Sequence, residues 1–292
     1  MKIILYTCLF TKSGQEPANN NYVWLFFSFI WSIYANSVLE NGDHIVVLID
    51  QATYEFIKKI NGLNQIIGAI TPKIEFRFIN QPQTVLEGFY ERHNPTFIEY
   101  LASISDENTL LIHSDIDAVF QEPLRKLPWN IKSDTFYLLE EFGNSIFGDC
   151  YLKHYDPQLE DSAIFESMKK NIPVEQHGWT AGLFAYTIGH STVSLFKNIY
   201  NDKIRSTNKS VFFEQAGFIF NILKYYNSHL IHIDPTIFII NMTVGYNNFR
   251  SDAPIILLMG EAGDGVFHMD KLCSYWFAHS DKLKMILQRL GH

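Results

Sequence analysis

Short apolar runs alternate with helix-length segments through the first 117 residues, and that alternation constrains the fold more than any other feature of the chain. Lys2 to Leu9 reads as a first strand, His44 to Asp50 as a second, Lys73 to Ile79 as a third and the short apolar stretch that opens at Thr109 and leads to Asp115 and Asp117 as a fourth. Between them lie helical patterns. One starts at Tyr22 and ends before the Asn41-Gly42 turn signal; another covers Ala52 to Ile60 and closes near Gly62. The third spans Thr84 to Ser103, with a boundary or kink at Pro95. Strand followed by helix, repeated, predicts an α/β fold with a mostly parallel central sheet flanked by helices. The second half is less regular. Asp134 to Glu140 reads as a strand, residues 142–176 as a mixed segment, and Gly178 to Tyr186 as a run of Gly, Trp and small residues. Helices are expected over Ser191 to Tyr200 and Val211 to Tyr226, short strands at His229 to Ile233 and Thr236 to Asn241, and a terminal helix from Asp281.

The fourth strand ends in an unusual way. Thr109-Leu110-Leu111-Ile112 is apolar enough to be buried, yet it leads into His113-Ser114-Asp115-Ile116-Asp117, with two carboxylates one residue apart. Side chains alternate along a strand, so if that geometry persists both aspartates face one way and Ile116 faces the interior. Two like charges held this close need a cation or protons between them. Hard divalent ions such as Mg²⁺ or Mn²⁺ take oxygen ligands of this kind, commonly together with substrate phosphates. The loop after strand one, Thr11 to Asn21 with Gly14 and Pro17, is long enough to serve a ligand, and loops after the strands of an open α/β sheet form its crevice.

The totals restrict the function class. With 292 residues the chain can build one large domain, and the expectation is a single one. A net charge of -8 argues against a general nucleic-acid surface. Cys8, Cys150 and Cys273 are too far apart and odd in number for a disulfide framework or zinc cluster. The opening residues lack a cleavage site, and the most membrane-like stretch, Tyr22 to Ala35, falls short of the ~20 residues a span requires. The expectation is therefore a cytoplasmic chain with no transmembrane segment, with peripheral membrane contact through that stretch as a secondary option.

From Leu110 to Leu124 the chain resembles nucleotide-sugar-dependent glycosyltransferases of the GT-A fold, which carry an apolar strand, an Asp-x-Asp motif and then a short apolar stretch, here Ala118-Val119-Phe120. Further matches to the glycogenin-like group follow in order: Arg92 resembles a donor-contacting arginine, and Ala181-Gly182-Leu183-Phe184 a sugar and acceptor segment. Glu214-Gln215 is similar to that group's acidic-Gln pair, and His268 with Lys271 to its late metal-binding histidine and diphosphate lysine. The chain departs from that group in having Glu at the acidic position and in lacking the Gly and Pro-Trp that accompany the late pair; His279 competes with His268.

The resemblance implies a GT-A-like (Rossmann-like) single domain, with residues 1–125 binding the nucleotide-sugar and 126–292 binding the acceptor and carrying a C-terminal metal and diphosphate segment. It implies a Mn²⁺- or Mg²⁺-dependent enzyme that moves a hexosyl or pentosyl group from a nucleoside-diphosphate sugar, UDP-sugar favoured, to a glycan or other hydroxyl acceptor. Asp115, Asp117 and His268 would hold the metal. Thr7, Arg92, Asp115 and Lys271 would contact the donor, and Glu214 and Gln215 would act at the reacting carbon or the acceptor hydroxyl, with Glu140 and Glu141 as competing bases. Trp179, Tyr151 and Tyr155 could stack on a sugar.

A second resemblance points elsewhere. Asp115-Ile116-Asp117-Ala118-Val119 is similar to the nucleophile motif of haloacid dehalogenase-type phosphohydrolases, with Gly263-Asp264 and Asp270 as a late acidic motif. In that reading Asp115 is the nucleophile of a Mg²⁺-dependent reaction. That nucleophile usually sits on the first strand, whereas three strand-helix pairs precede it here.

Overall fold

A computed structural model describes residues 1–148, 151–173, 176–207, 209–234 and 254–257, with the backbone alone at 141–144. Its main sheet has seven strands and is mostly parallel. In chain order the strands are β1 (Lys2–Leu9), β2 (His44–Asp50), β3 (Ile74–Ile79), β4 (Thr109–Ser114), β6 (Thr135–Ser145), β7 (His177–Tyr186) and β8 (His232–Asp234). They lie in the order β3-β2-β1-β4-β7-β6-β8. A separate antiparallel pair joins β5 (Ala118–Phe120) to β9 (Ile255–Leu257). The helices are α1 (Asn21–Ala35), α2 (Gln51–Ile57), α3 (Asn61–Ala69), α4 (Val85–Tyr90), α5 (Pro95–Ser103), α6 (Ser162–Asn171), α7 (Thr192–Asn201) and α8 (Phe213–Asn227).

The described residues fall into two compact units. One contains Lys2–Thr84, His113–Trp129 and residues 254–257. Its strands β1 and β2 are parallel, with Ile4 opposite His44 through to Leu9 opposite Ile49, and β3 continues the parallel pattern beside β2. Ile3, Ile4, Leu5 and Tyr6 are fully buried, as a strand covered on both faces demands. The membrane-like stretch is α1, and its unit absorbs it: Val23, Phe26, Phe29 and Ile30 are shut off from solvent. Ser32, which interrupts the apolar run, accepts a hydrogen bond from Phe120 N of β5 at 3.0 Å. Among the described residues no helix is long and apolar enough to cross a membrane.

The other unit contains Val85–Ile112 and residues 130–234. Strands β6 and β7 pair antiparallel, β8 lies parallel to β6, and α8 packs on β7. Its core is aromatic, with Phe136, Phe184, Tyr186, Phe196 and Phe218 in mutual ring contact.

Several elements differ from the sequence expectation for physical reasons. Pro95 splits the third helical pattern in two by taking the first position of α5, where its missing N–H costs nothing, while Asn94 caps that helix by accepting from Thr96 N at 3.1 Å. α3 begins at Asn61, where Gly62 suggested a helix end; two buried side chains, Leu63 and Ile66, are enough to hold it. The mixed segment contains α6, anchored by Phe165 and Met168. The small-residue run at 178–186 is a ten-residue strand. The expected strand at 236–241 and the terminal helix lie outside the described residues.

Candidate active site

β4 is buried along its whole length and stops at Ser114, so the alternation that would aim Asp115 and Asp117 in one direction does not persist; residues 115–117 form a turn into β5. Ile116 goes to the interior as expected. The two aspartates are unequally exposed: Asp115 is half-buried and Asp117 buried. His113, fully buried and in contact with the ring of Tyr6 at 5.1 Å between centroids, puts Nε2 3.2 Å from Asp115 Oδ1 and so orients that carboxylate. Strand β5, which follows the turn, is held at its end: Asn36 Nδ2 donates to Phe120 O at 2.7 Å, and Gln121 N donates to Pro254 O at 2.8 Å.

The two carboxylates are the kind of oxygen donor that hard cations take, with the remaining positions usually left to water and substrate phosphate. Among the described residues no group of three or more His, Cys, Asp or Glu could hold a metal. His268, its competitor His279 and Lys271 lie outside the described residues.

The loop after β1 is built around buried Asp50 at the end of β2. Its carboxylate accepts from Thr11 N at 2.8 Å, Thr53 N at 3.0 Å and the Thr53 hydroxyl at 2.6 Å, capping α2 as it anchors the loop. At the other end Asn20 donates to Phe10 O at 2.9 Å and accepts from Tyr22 N at 3.1 Å, which caps α1. Gly14, at φ +78°, takes a left-handed turn in between. Thr7 sits inside β1 opposite Val47, and its side chain is shut off from solvent.

In the other unit Arg92 and Glu214 meet in the interior. Arg92 Nε and one Nη donate to the Glu214 carboxylate at 3.1 and 2.7 Å, and both residues are almost fully buried. His93 Nε2 also contacts Glu214 Oε1, while its ring lies between Phe184, Phe196 and Phe218 at 5.6 to 6.2 Å. Burial pushes the Glu214 carboxyl up, but the Arg92 charge and the His93 contact more than offset it and bring the group down to about 2. A carboxylate so stabilised is a weak base near neutral pH.

Gln215, the next residue, is half-buried and accepts from Ala181 N of β7 at 3.2 Å. The expected pair thus divides into one side chain bound inside the unit and one that bridges α8 to the small-residue segment of β7. Glu140 is half-buried on β6 opposite Trp179. Trp179, Tyr151 and Tyr155 are buried, so in this structure they serve the core.

Sequence reasoning missed His93 and His113. Each stands beside a candidate it did find, but a histidine inside an apolar strand or turn reads as core filling until its ring nitrogen is seen against a carboxylate.

No protein-family model matches the chain, and no curated protein does. Solved structures do. The apo structure of the bifunctional glycosyltransferase WbbM is similar at a TM-score of 0.51 and 14% identity, over 94% of this chain and 49% of WbbM. The chain therefore spans about half the length of that protein. The apo form of mouse xyloside xylosyltransferase 1 is similar at a TM-score of 0.46 and 10% identity, over 90% of this chain and 98% of the mouse protein. The likeness to WbbM shows the fold: a mostly parallel, Rossmann-like sheet with flanking helices, as found in a glycosyltransferase.

Proposed function

We propose that the chain is a metal-dependent glycosyltransferase that moves a sugar from a nucleoside-diphosphate sugar, with UDP-sugars favoured, to a hydroxyl acceptor on a glycan or similar molecule. The observation that carries this reading is the Asp115-Ile116-Asp117 turn at the end of a buried strand, in a fold shared with a glycosyltransferase.

In this reading Asp115 and Asp117, with His268, hold Mn²⁺ or Mg²⁺. The ion, when bound, supplies Lewis-acid stabilisation of the negative charge that grows on the departing diphosphate. His113 keeps the Asp115 carboxylate oriented, as partners behind a ligand do. Lys271 adds positive charge at the diphosphate, and the anchored loop after β1, with Thr7 behind it, borders the nucleobase. Gln215, held at one end by Ala181 N, is the side chain of the acidic-Gln pair that supports the transferring sugar. Glu214 is bound in the interior by Arg92 and His93, which supports Gln215 over Glu214 in that role.

The test is release of nucleoside diphosphate from UDP-sugars, with and without Mn²⁺ and an acceptor glycan. Asp117→Ala should lower the metal-dependent rate by at least about 100-fold, equivalent to roughly 2.7 kcal/mol or more, while the far-ultraviolet circular dichroism stays that of the native chain. An Asp117→Ala variant with full metal-dependent activity would remove the proposal. Hydrolysis of simple phosphate esters in place of sugar transfer would favour the phosphohydrolase reading, with Asp115 as nucleophile.

A further inference from the structure

Among the described residues, buried polar clusters outside the Asp-x-Asp turn include Asp43 with Arg125, Asp50 with Thr11 and Thr53, Asp202 with Arg205 and Asn221, and Arg92 with His93 and Glu214. The first three tie loops, strands and helix ends to their neighbours. The last is adjacent in sequence to a side chain assigned to the reaction.

The geometry points to Arg92, His93 and Glu214 as a positioning unit for Gln215, holding the first turn of α8 in the register that lets Gln215 meet Ala181 of β7. The inference rests on the transferase reading for its catalytic meaning, though its structural content is independent of it.

Four observations support it. First, α8 begins without a side-chain cap: Phe212 stands at its N-cap, and the Phe213 N–H is met by the backbone, donating to Ser210 O at 2.9 Å. The side chains that anchor this turn include buried Phe213, stacked with Tyr155, and Glu214, whose negative charge also suits the positive end of the helix. Second, Glu214 is gripped from one rigid place. Arg92 and His93 are consecutive on the single 3-10 turn Glu91–His93, so both contacts move together.

Third, that turn cannot easily shift. The His93 ring is stacked at interplanar angles of 18° to 21° against Phe184, Phe196 and Phe218, which belong to β7, α7 and α8. The guanidinium of Arg92 lies over the ring of Phe89 at 5.4 Å. Fourth, Phe184 lies on the same strand as Ala181, so the ring that braces His93 and the N–H that holds Gln215 share one backbone. The charge network therefore links both partners of the Gln215–Ala181 contact.

Gln215 itself has a flexible side chain, and an unanchored first helical turn would leave its amide free to sample several rotamers. A misplacement of about 1 Å at a reacting centre can lower a rate by about 100-fold. Arg92, His93 and Glu214 touch no substrate in this assignment, so they are positioning residues.

The test compares the native chain with Glu214→Gln, Arg92→Lys and the double variant Arg92→Met/Glu214→Leu, which removes both charges together and so keeps a folded sample available if a single change unfolds the chain. Two readouts are taken: the side-chain amide resonances of Gln215, identified by their loss in Gln215→Glu, and kcat and KM for hydrolysis of a UDP-sugar across pH. Positioning predicts that each variant shifts or doubles the Gln215 amide signals. It predicts a kcat lower by about 10- to 100-fold with the donor KM within about 3-fold, and a kcat–pH profile that keeps both limbs in Glu214→Gln.

Unmoved Gln215 signals in all folded variants would overturn the proposal. Loss of one pH limb in Glu214→Gln would also overturn it, by making Glu214 the base. A native chain that neither hydrolyses nor binds any nucleotide-sugar would end the transferase reading, while the amide signals would still decide the positioning role.

Discussion

Glu214 carries its charge where water does not reach, and it does so because Arg92 stands beside it. Removing one member of such a pair strands the other, at a cost of about 3–5 kcal/mol, so Arg92→Met should lower the urea midpoint sharply. Replacing both, as Arg92→Met/Glu214→Leu, should recover most of that loss, because two apolar side chains need no desolvation. A double variant no more stable than Arg92→Met would show that the pair matters for more than its charge.

The pH dependence has a definite sign. Glu214 is held near 2 in the fold, against an ordinary value of 4.5. Its ionised form therefore contributes stability that is complete above pH 4.5 and is lost as the pH falls toward 2, on the order of 3 kcal/mol. Stability against urea, measured from pH 6 down to the acid limit, should fall less steeply in Glu214→Gln than in the native chain; parallel curves would contradict the assignment. The sequence exposes Arg92 and Glu214 as candidates, but their pairing spans 122 positions, and no local pattern encodes a contact that the fold creates. His93 stayed hidden for the same reason, since a ring among phenylalanines is indistinguishable in sequence from core.

Strands β1 and β2 were legible because short, mostly β-branched apolar runs such as Ile3 to Tyr6 and Ile45 to Ile49, bounded by polar residues or turns, are hard to read as anything else. β7 was not, because Gly178-Trp179-Thr180-Ala181-Gly182 carries the small residues of a loop. The structure supplies the reason for one of them. A Cβ on Gly178 would lie 2.3 to 2.5 Å from ring atoms of buried Tyr151, so the strand needs glycine there to let the ring lie flat against it. Gly178→Ala should therefore cost about 1–3 kcal/mol through overpacking, read from chemical unfolding, and most of it should disappear in a Tyr151→Leu background. An equal cost in both backgrounds would place the strain elsewhere. Helices α3 and α6 escaped notice because each buries only two side chains, too few to stand out as a period. The turn after β4 shows the converse limit: the two aspartates were found from sequence, but the rule for aiming them assumed a strand that ends at Ser114.

The alternation of strands and helices was enough to anticipate the sheet, and the likeness to WbbM bears out that architecture at 14% identity. Chemistry is a separate matter, since one architecture serves many reactions. The proposed transfer from a nucleotide-sugar rests on the Asp115-Ile116-Asp117 turn at the end of buried β4, whose Asp115 carboxylate is met by His113. The measurement that tests it most directly is a thermal-shift series on the native chain with UDP, GDP and CDP, each with Mn²⁺ or with chelator. At 100 times its dissociation constant a ligand stabilises the native state by about 2.7 kcal/mol, enough to move the melting temperature visibly. The account predicts stabilisation by UDP in the presence of Mn²⁺, lost on chelation and absent in Asp117→Ala. No stabilisation by any of the three nucleotides, or equal stabilisation with chelator, would contradict it.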